Sequence, residues 1–508
     1  MIRGAVVCLI CFAGFKAVVA QPIQFKEAIF NDIRFRLNVD GNFFENAQQQ
    51  RPFYRIPATD SVSSIYAASL WLLGRDDRDS AVSLTPTYSF APKGVMTGPG
   101  ASAYFPAYYN RYYNAWFMSK SLINQHRQTY NLPGYTPIPE IFDWPAKVIG
   151  PELSAAAPFN DVNNNGFYDP ENGDYPAIPG DLALFYVQNT VDPQASPPIQ
   201  GSPFKLVIRG FLYAFENTGN ALQQTLFSKQ LISHLGSETV RNVYAAQWMD
   251  VDLGQPSDDA GATDSLRNLI YAYNQDNFDD EGSTPYGINP PAQGFVWLSQ
   301  PMDRGTVYTL SFPSEPFPDL SHYYRLATGV NPDGTMDATR YDYPGSPAFL
   351  GPDTELENGY VFGDRRLVSS VYLGDLAPGQ VVCLDGAYVW SRSGDNHFDN
   401  ARTLQEATDQ VTAFYRDFIG GRCNELTVGI ADQLRSSVQI HPNPTSGVIY
   451  LDWENEVQYE LSNASGQRVG SGTAQKAIDF SGVSAGFYIL TVKTALNAAP
   501  IAYRLTIY

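Results

Sequence analysis

The residues best placed to do chemistry lie in Asp161–Asp174, where DVNNNGFYDPENGD sets oxygen-bearing side chains at alternate positions and Gly166 at the turn. A hard divalent cation takes six to eight oxygen ligands at about 2.3 to 2.6 Å. Asp161, Asn163 and Asn165, the carbonyl of Phe167, and Asp169 supply such ligands in the order of an EF-hand-like loop. The twelfth residue from Asp161 is Asn172, where a bidentate glutamate would stand, so closure falls to Glu171 or Asp174. Pro158 before the loop and Pro170 inside it leave no room for flanking helices. The spacing therefore predicts an isolated structural Ca²⁺ loop, with a solvated Asn/Asp/Gly turn as the plain alternative.

A second set, Asp250, Asp252, Asp258, Asp259 and Asp264, puts five carboxylates in a short span after a strand-like run. Alternation along a strand sends Asp250 and Asp252 to one face, where a cation between them would turn repulsion into coordination. Calcium is the expectation here too. Paired carboxylates also serve glycoside hydrolysis, so this is the place where a polysaccharide hydrolase would keep its acid and base. A plain charged surface is the third reading.

Little else in the chain has catalytic spacing. His126, His234, His322, His397 and His441 are scattered, with no HExxH and no Cys/His partner, and there is no GxSxG elbow or phosphate-binding glycine loop. No catalytic residues are assigned, and the enzyme question stays open with the balance against. Of four cysteines, Cys8 and Cys11 fall in the N-terminal apolar segment. Cys383 and Cys423 remain as a candidate disulfide or as two buried thiols.

The elements that must position these groups are mostly strands. Charged residues make up 17% of the 508 and aromatics 14%, with 32 Tyr and 30 Phe, a balance typical of β-rich extracellular proteins. The formal charge of -19 argues against nucleic acid as a partner. Residues 1–20 carry Arg3, an apolar run and a Val18-Val19-Ala20 exit, which fit a secretory signal peptide; nothing later is long and apolar enough for a transmembrane segment.

Strand candidates then follow one another: Phe204–Phe215, Leu226–Leu235, Val243–Met249, Leu269–Tyr273, Gly294–Leu298, Val307–Phe312 and Gln380–Ser391. Two helices interrupt them, a short one over Lys120–Tyr130 and a longer one over Asn400–Phe418, capped by Asp399 or Asn400. The expected fold is mainly β: a β-sandwich or jelly-roll-like body in two regions, 21–200 and 201–424, a linker at 425–437, and a small Ig-like β-sandwich at 438–508.

That last segment has a PNPTSG turn at Pro442–Gly447, an NASGQ turn at Asn463–Gln467, an AGFYILTV strand at Ala485–Val492 and a strand at the chain end. In these features it resembles a type A C-terminal sorting domain of the type IX secretion system. The resemblance implies a Gram-negative cargo protein, exported through a signal peptide and then the outer-membrane translocon, and secreted or held at the cell surface, in some cases on lipopolysaccharide. Here Arg504 is followed by Leu505-Thr506-Ile507-Tyr508, where the family more often ends on a basic residue. An ordinary terminal β-module is the alternative.

More loosely, the body resembles uncharacterised extracellular cargo proteins of the same system, on Asp161–Pro170, Asp250–Gly254, Gly363–Arg366 and Leu376–Gly379. No activity follows from that likeness. A structural, adhesive or glycan-binding role, with a glycan or protein ligand, is the functional expectation.

Overall fold

The computed structural model describes residues 24–88, 95–100, 111–147, 156–191, 204–216, 219–279, 284–309, 320–331, 333–349, 352–359, 363–419, 440–442, 445–451, 456–463, 468–493 and 501–508. The expected signal segment 1–20, the expected linker 425–437 and Cys423 lie outside the described residues.

The chain is mainly β. Its principal body strands are β1 (Phe25–Phe30), β2 (Ile33–Asn38), β3 (Ala67–Arg75), β4 (Ala81–Leu84), β5 (Trp116–Ser119), β6 (Leu182–Asn189), β7 (Leu206–Ala214) and β8 (Thr225–His234). They continue with β9 (Val240–Val251), β10 (Asp259–Asp264), β11 (Leu269–Asn274), β12 (Ala292–Trp297), β13 (Arg304–Thr309), β14 (Arg365–Leu376) and β15 (Val381–Ser391). The longer helices are α1 (Lys120–Thr129), α2 (Leu320–Thr328) and α3 (His397–Phe414).

One large antiparallel sheet runs β5-β6-β7-β8-β15-β12-β11-β10, with Met96–Thr97 paired to β6. A second runs β13-β14-β9-β3-β4, and a smaller one holds β1, β2 and two short strands. Strand alternation explains how they stack. On β7, Leu206, Ile208 and Leu212 enter a core shared with Phe35, Leu72 and Met249, while Val207, Phe211 and Tyr213 enter another beneath Leu404 and Val411 of α3. Both faces are covered, so β7 is buried along its whole length, Arg209 included. The second sheet repeats the device: Ala245 and Met249 of β9 face the first core, and Ala246 and Trp248 face Tyr323 and Tyr324 of α2. Gly210 is required within β7 because the Tyr186 ring of β6 occupies the space a Cβ would take.

Strand pairing runs across residue 200, where the first body region was expected to pass into the second. β6 pairs with β7 from Leu182↔Ala214 to Asn189↔Val207, and β3 pairs with β9 from Arg241↔Arg75 to Asp250↔Ala67. Strands from 21–200 and 201–424 thus share both sheets and both cores, and neither region closes a core alone.

Two further expectations shift. Helix α3 begins at His397, with the Asn396 side chain accepting from the Asp399 N–H at 3.0 Å. Asn400 is instead buried and donates to Asn289 Oδ1 and the Pro290 carbonyl. Leu404, Ala407 and Val411 face inward as their spacing predicts, and past Phe414 the chain widens into a π turn, Tyr415–Ile419. Helix α2, absent from the sequence reading, lies across the second sheet.

The C-terminal strands are β16 (Ile440–His441), β17 (Val448–Leu451), β18 (Val457–Asn463), β19 (Arg468–Ala474), β20 (Ala477–Asp479), β21 (Gly486–Lys493) and β22 (Ile501–Ile507). They form two sheets, β16-β17-β20 and β19-β18-β21-β22, around a core of their own that includes Ile449, Leu461, Phe480, Leu490, Leu505 and Ile507. Thr445, from the PNPTSG turn, binds the last strand at both ends: its N–H donates to the Thr506 carbonyl and its carbonyl accepts from Tyr508. The apolar chain end is therefore built into the sandwich, through Leu505 and Ile507.

Candidate metal centres and the sorting domain

A two-residue ladder closes the loop 161–174. Phe159 pairs with Pro176 and Asn160 with Tyr175, which brings Asp161 and Asp174 to the loop's neck. Asn164 and Gly166 both take positive φ, 56° and 80°, the left-handed conformation that bends the chain back on itself. Tyr168 anchors the loop by donating to the Ile141 carbonyl at 2.6 Å.

Within the loop the predicted oxygens are taken up by the loop's own N–H groups and side-chain amides. Asp161 accepts from the N–H groups of Asn165 (3.1 Å) and Gly166 (2.7 Å), and Asn163 Oδ1 from Asn165 N–H (3.0 Å). Asn165 Oδ1 accepts from the N–H of Phe167, whose ring is thrown into solvent. Asp169 collects the side-chain amides of Asn163, Asn165 and Asn172. Asp174, fully buried, accepts from Val162 and Asp169 N–H groups. Burial and the neighbouring Asp169 push the Asp174 carboxyl up to about 6. Slight burial opposes Asp169, but its three amide donors hold it below the usual carboxylate range. Glu171 is exposed on the turn Pro170–Asn172, whereas Asp174 is buried at the neck of the loop. An amide rotated by half a turn would offer oxygen where it now donates, so the same side chains could line a cation.

The second set does not act as one. Asp258 ends the turn Pro256–Asp258, and Asp259 opens β10. Asp259 is fully buried and accepts from Leu253 N–H at 3.1 Å; burial, then Asp252, Asp258 and Asp279, drive its carboxyl well up. Asp264, at the far end of β10, pairs with Arg267 at 2.8 Å and accepts from Gln405 of α3. Only Asp250 and Asp252 meet, and they meet a residue the sequence reading left out. Asp250, Asp252 and Asp364 each place a carboxylate oxygen within 4.8 Å of the other two. Strand pairing brings them together, since β9 and β14 set Asp250 opposite Arg366 with Asp364 just before the strand. Arg366 pairs with Asp250 at 3.0 Å and with Asp364, and Tyr88 donates to Asp250 Oδ2 at 2.8 Å. Burial, then Asp250 and Asp364, push the Asp252 carboxyl well up, against Arg366. The run Gly363-Asp364-Arg365-Arg366 was visible in sequence; its register against β9 was not.

Cys383 is disulfide-bonded, while Cys423, named for that pairing, lies outside the described residues. Beside it, Lys229 and Asp385 form a buried ion pair at 2.8 Å, to which Tyr415 adds its hydroxyl. His126 is buried in α1 and shares a hydrogen bond with the Tyr135 hydroxyl.

A groove of about 760 Å³ runs between β1 and β5, the edge strands of two sheets. Lys26, Arg111 and Lys147 line it together with Glu27, Glu140 and Asp143, and Phe117 and Phe142 supply aromatic wall. Among the described residues no helix is long and apolar enough to cross a membrane.

Comparison with known proteins bears on the tail. Residues 439–499 match the family described as the secretion system C-terminal sorting domain. No curated protein matches the chain. Among solved structures, a polysaccharide lyase is similar over 59% of this chain and 34% of that one, at 10% identity and a TM-score of 0.18. This chain thus spans about a third of the lyase's length, and a likeness at that score carries no argument about fold or chemistry. The matched segment coincides with the separate C-terminal core, from the PNPTSG turn through β21. The chain therefore ends in a type IX secretion sorting domain and is a cargo protein of that system, delivered to the cell surface or outside the cell.

Proposed function

We propose that this cargo is a calcium-stabilised surface or released protein that binds an uncharged glycan in the groove between β1 and β5. The groove carries the reading. Its volume lies in the range of small-ligand sites, and its wall offers aromatic rings beside charged donors and acceptors. Three cations and three carboxylates line it, with Glu27 also paired to Arg34 and Arg36, so neither sign of charge stands alone. That suits a polyhydroxyl chain, which needs both donors and acceptors, better than a polyanion. Phe142, 37% exposed, is the ring most open to stack on a sugar face.

Calcium in the loop 161–174 would brace this side of the body, held by Asp161, Asn163, Asn165, the Phe167 carbonyl, Asp169 and Asp174. The tail 438–508 serves the translocon, and lipopolysaccharide attachment at the tail would keep the body on the surface. The hydrolase reading loses support from geometry. Asp250 and Asp259 are buried and bonded within the fold, and Asp264 is tied to Arg267, so no two of these carboxylates flank an open groove.

A glycan-array screen of the full chain tests the proposal. Neutral oligosaccharides should bind, and Phe142→Ala should weaken the best of them about tenfold, the loss of one stacking contact of about 1.4 kcal/mol. Equal binding by wild type and Phe142→Ala would place any glycan elsewhere.

A further inference from the structure

We propose that Asp250, Asp252 and Asp364 form a second calcium site, where the loop after β9 meets the residue before β14. The clustering alone would not suffice, because acidic side chains often gather without a ligand. The decisive group is Asp252. It is 9% exposed, yet among the described residues its carboxylate accepts no hydrogen bond and forms no ion pair. It points into the space where Asp250 and Asp364 oxygens lie within 4.8 Å. A buried carboxylate without a donor, facing two others, is costly unless enough positive charge sits among them, and Arg366 offers one charge to three carboxylates.

The surroundings fit a divalent ion. Three carboxylates and the Arg366 guanidinium leave about two negative charges, which one divalent cation balances. Arg366 and Tyr88 grip Asp250, and Arg366 also holds Asp364, so these two arrive oriented while Asp252 stays open to bind. Two ligand bonds of about 2.3 to 2.6 Å, the calcium range, cover the 4.8 Å span between oxygens. The Asp364 side chain is 41% exposed, which gives the ion a path in and room for water ligands. Asp258, Asp259 and Asp264 are not ligands. The ion would pin the end of β9 to the start of β14, in the sheet that carries α2.

The choice of calcium rests on the proposed calcium-loaded body; the three-carboxylate set does not. Terbium, a luminescent stand-in for calcium, is titrated into the full chain, followed by competition with calcium and with magnesium. Tyr88, bonded to Asp250, should sensitise terbium at this site. Asp252→Asn and Asp364→Asn should each weaken calcium competition for one class of terbium at least tenfold, while Asp161→Asn with Asp169→Asn leaves that class intact. A sign change gives a second readout: in chelator Asp252→Asn should raise the melting midpoint by relieving repulsion, and in calcium it should lower it. Unchanged terbium binding in both Asp252→Asn and Asp364→Asn would overturn the site. Competition by magnesium as strong as by calcium would overturn the metal. Loss of terbium only in the loop double variant would keep the 161–174 loop and remove this second site. Should Asp252→Asn not fold, the more exposed Asp364→Asn decides alone.

Discussion

Stripping divalent cations with excess chelator should lower the melting midpoint of the full chain by roughly 3 °C. A ligand that binds only the folded state at 100 times its dissociation constant stabilises by about 2.7 kcal/mol, and at about 2.1 cal/mol/K of unfolding entropy per residue a body of about 400 residues shifts its midpoint by roughly 1 °C for each kcal/mol. The loop 161–174 has the larger part in this shift. Asp161 and Asp174 accept from the loop's own N–H groups, and the Asp174 carboxylate is buried beside Asp169. Without a cation those carboxylates repel one another. Asp161→Asn with Asp169→Asn should therefore remove most of the chelator effect, and magnesium should not restore it. Differential scanning calorimetry with and without calcium makes the measurement, and an unmoved midpoint would remove calcium from the loop.

Glu355→Ala should cost about 3 to 5 kcal/mol, the largest effect expected from a single substitution in the body. Glu355 and Arg365 are both almost wholly buried, and Glu355 Oε1 takes two guanidinium N–H groups, at 2.9 and 2.5 Å. Its other oxygen accepts from the Gly261 N–H of β10 at 2.7 Å. Removing the carboxylate strands a buried cation and a backbone donor together, which is why the loss exceeds the worth of the pair itself. The contrast is Arg267 with Asp409, where the side chains are 33% and 55% exposed. Water screens that pair, so Asp409→Ala should cost no more than about 1 kcal/mol. Replacing both buried partners, Glu355→Leu with Arg365→Met, should recover much of the loss. Urea denaturation of the wild type and the three variants decides, and a Glu355→Ala cost below that of Asp409→Ala would contradict the assignment.

Much of the fold could be read from local pattern, and the failures have one physical origin. Strands β7, β8, β9 and β11 stand close to where their apolar runs placed them, and α3 follows its three-and-four spacing. Pattern along the chain does not say which strands pair. Nothing local in Ala67–Arg75 announces a partner in Val240–Val251, so the cut at residue 200 was drawn through two continuous sheets. The loop 161–174 could be read as one hydrogen-bonded unit because its groups are neighbours in sequence. The Asp250 set was half legible for the opposite reason: Asp258, Asp259 and Asp264 are near in sequence and turn away, whereas Asp364 is distant and is brought in by register. β19, with its glycines and polar side chains, has no apolar alternation to signal a strand and owes its place to pairing with β18.

The tail is the part whose role the rest depends on. Fused to a periplasmic reporter in a host with a working type IX system, residues 438–508 should carry the reporter to the cell surface or medium, and a charge placed in the sandwich core by Leu490→Asp should abolish the transfer. A reporter that stays in the periplasm with the intact tail attached would contradict the account at its centre.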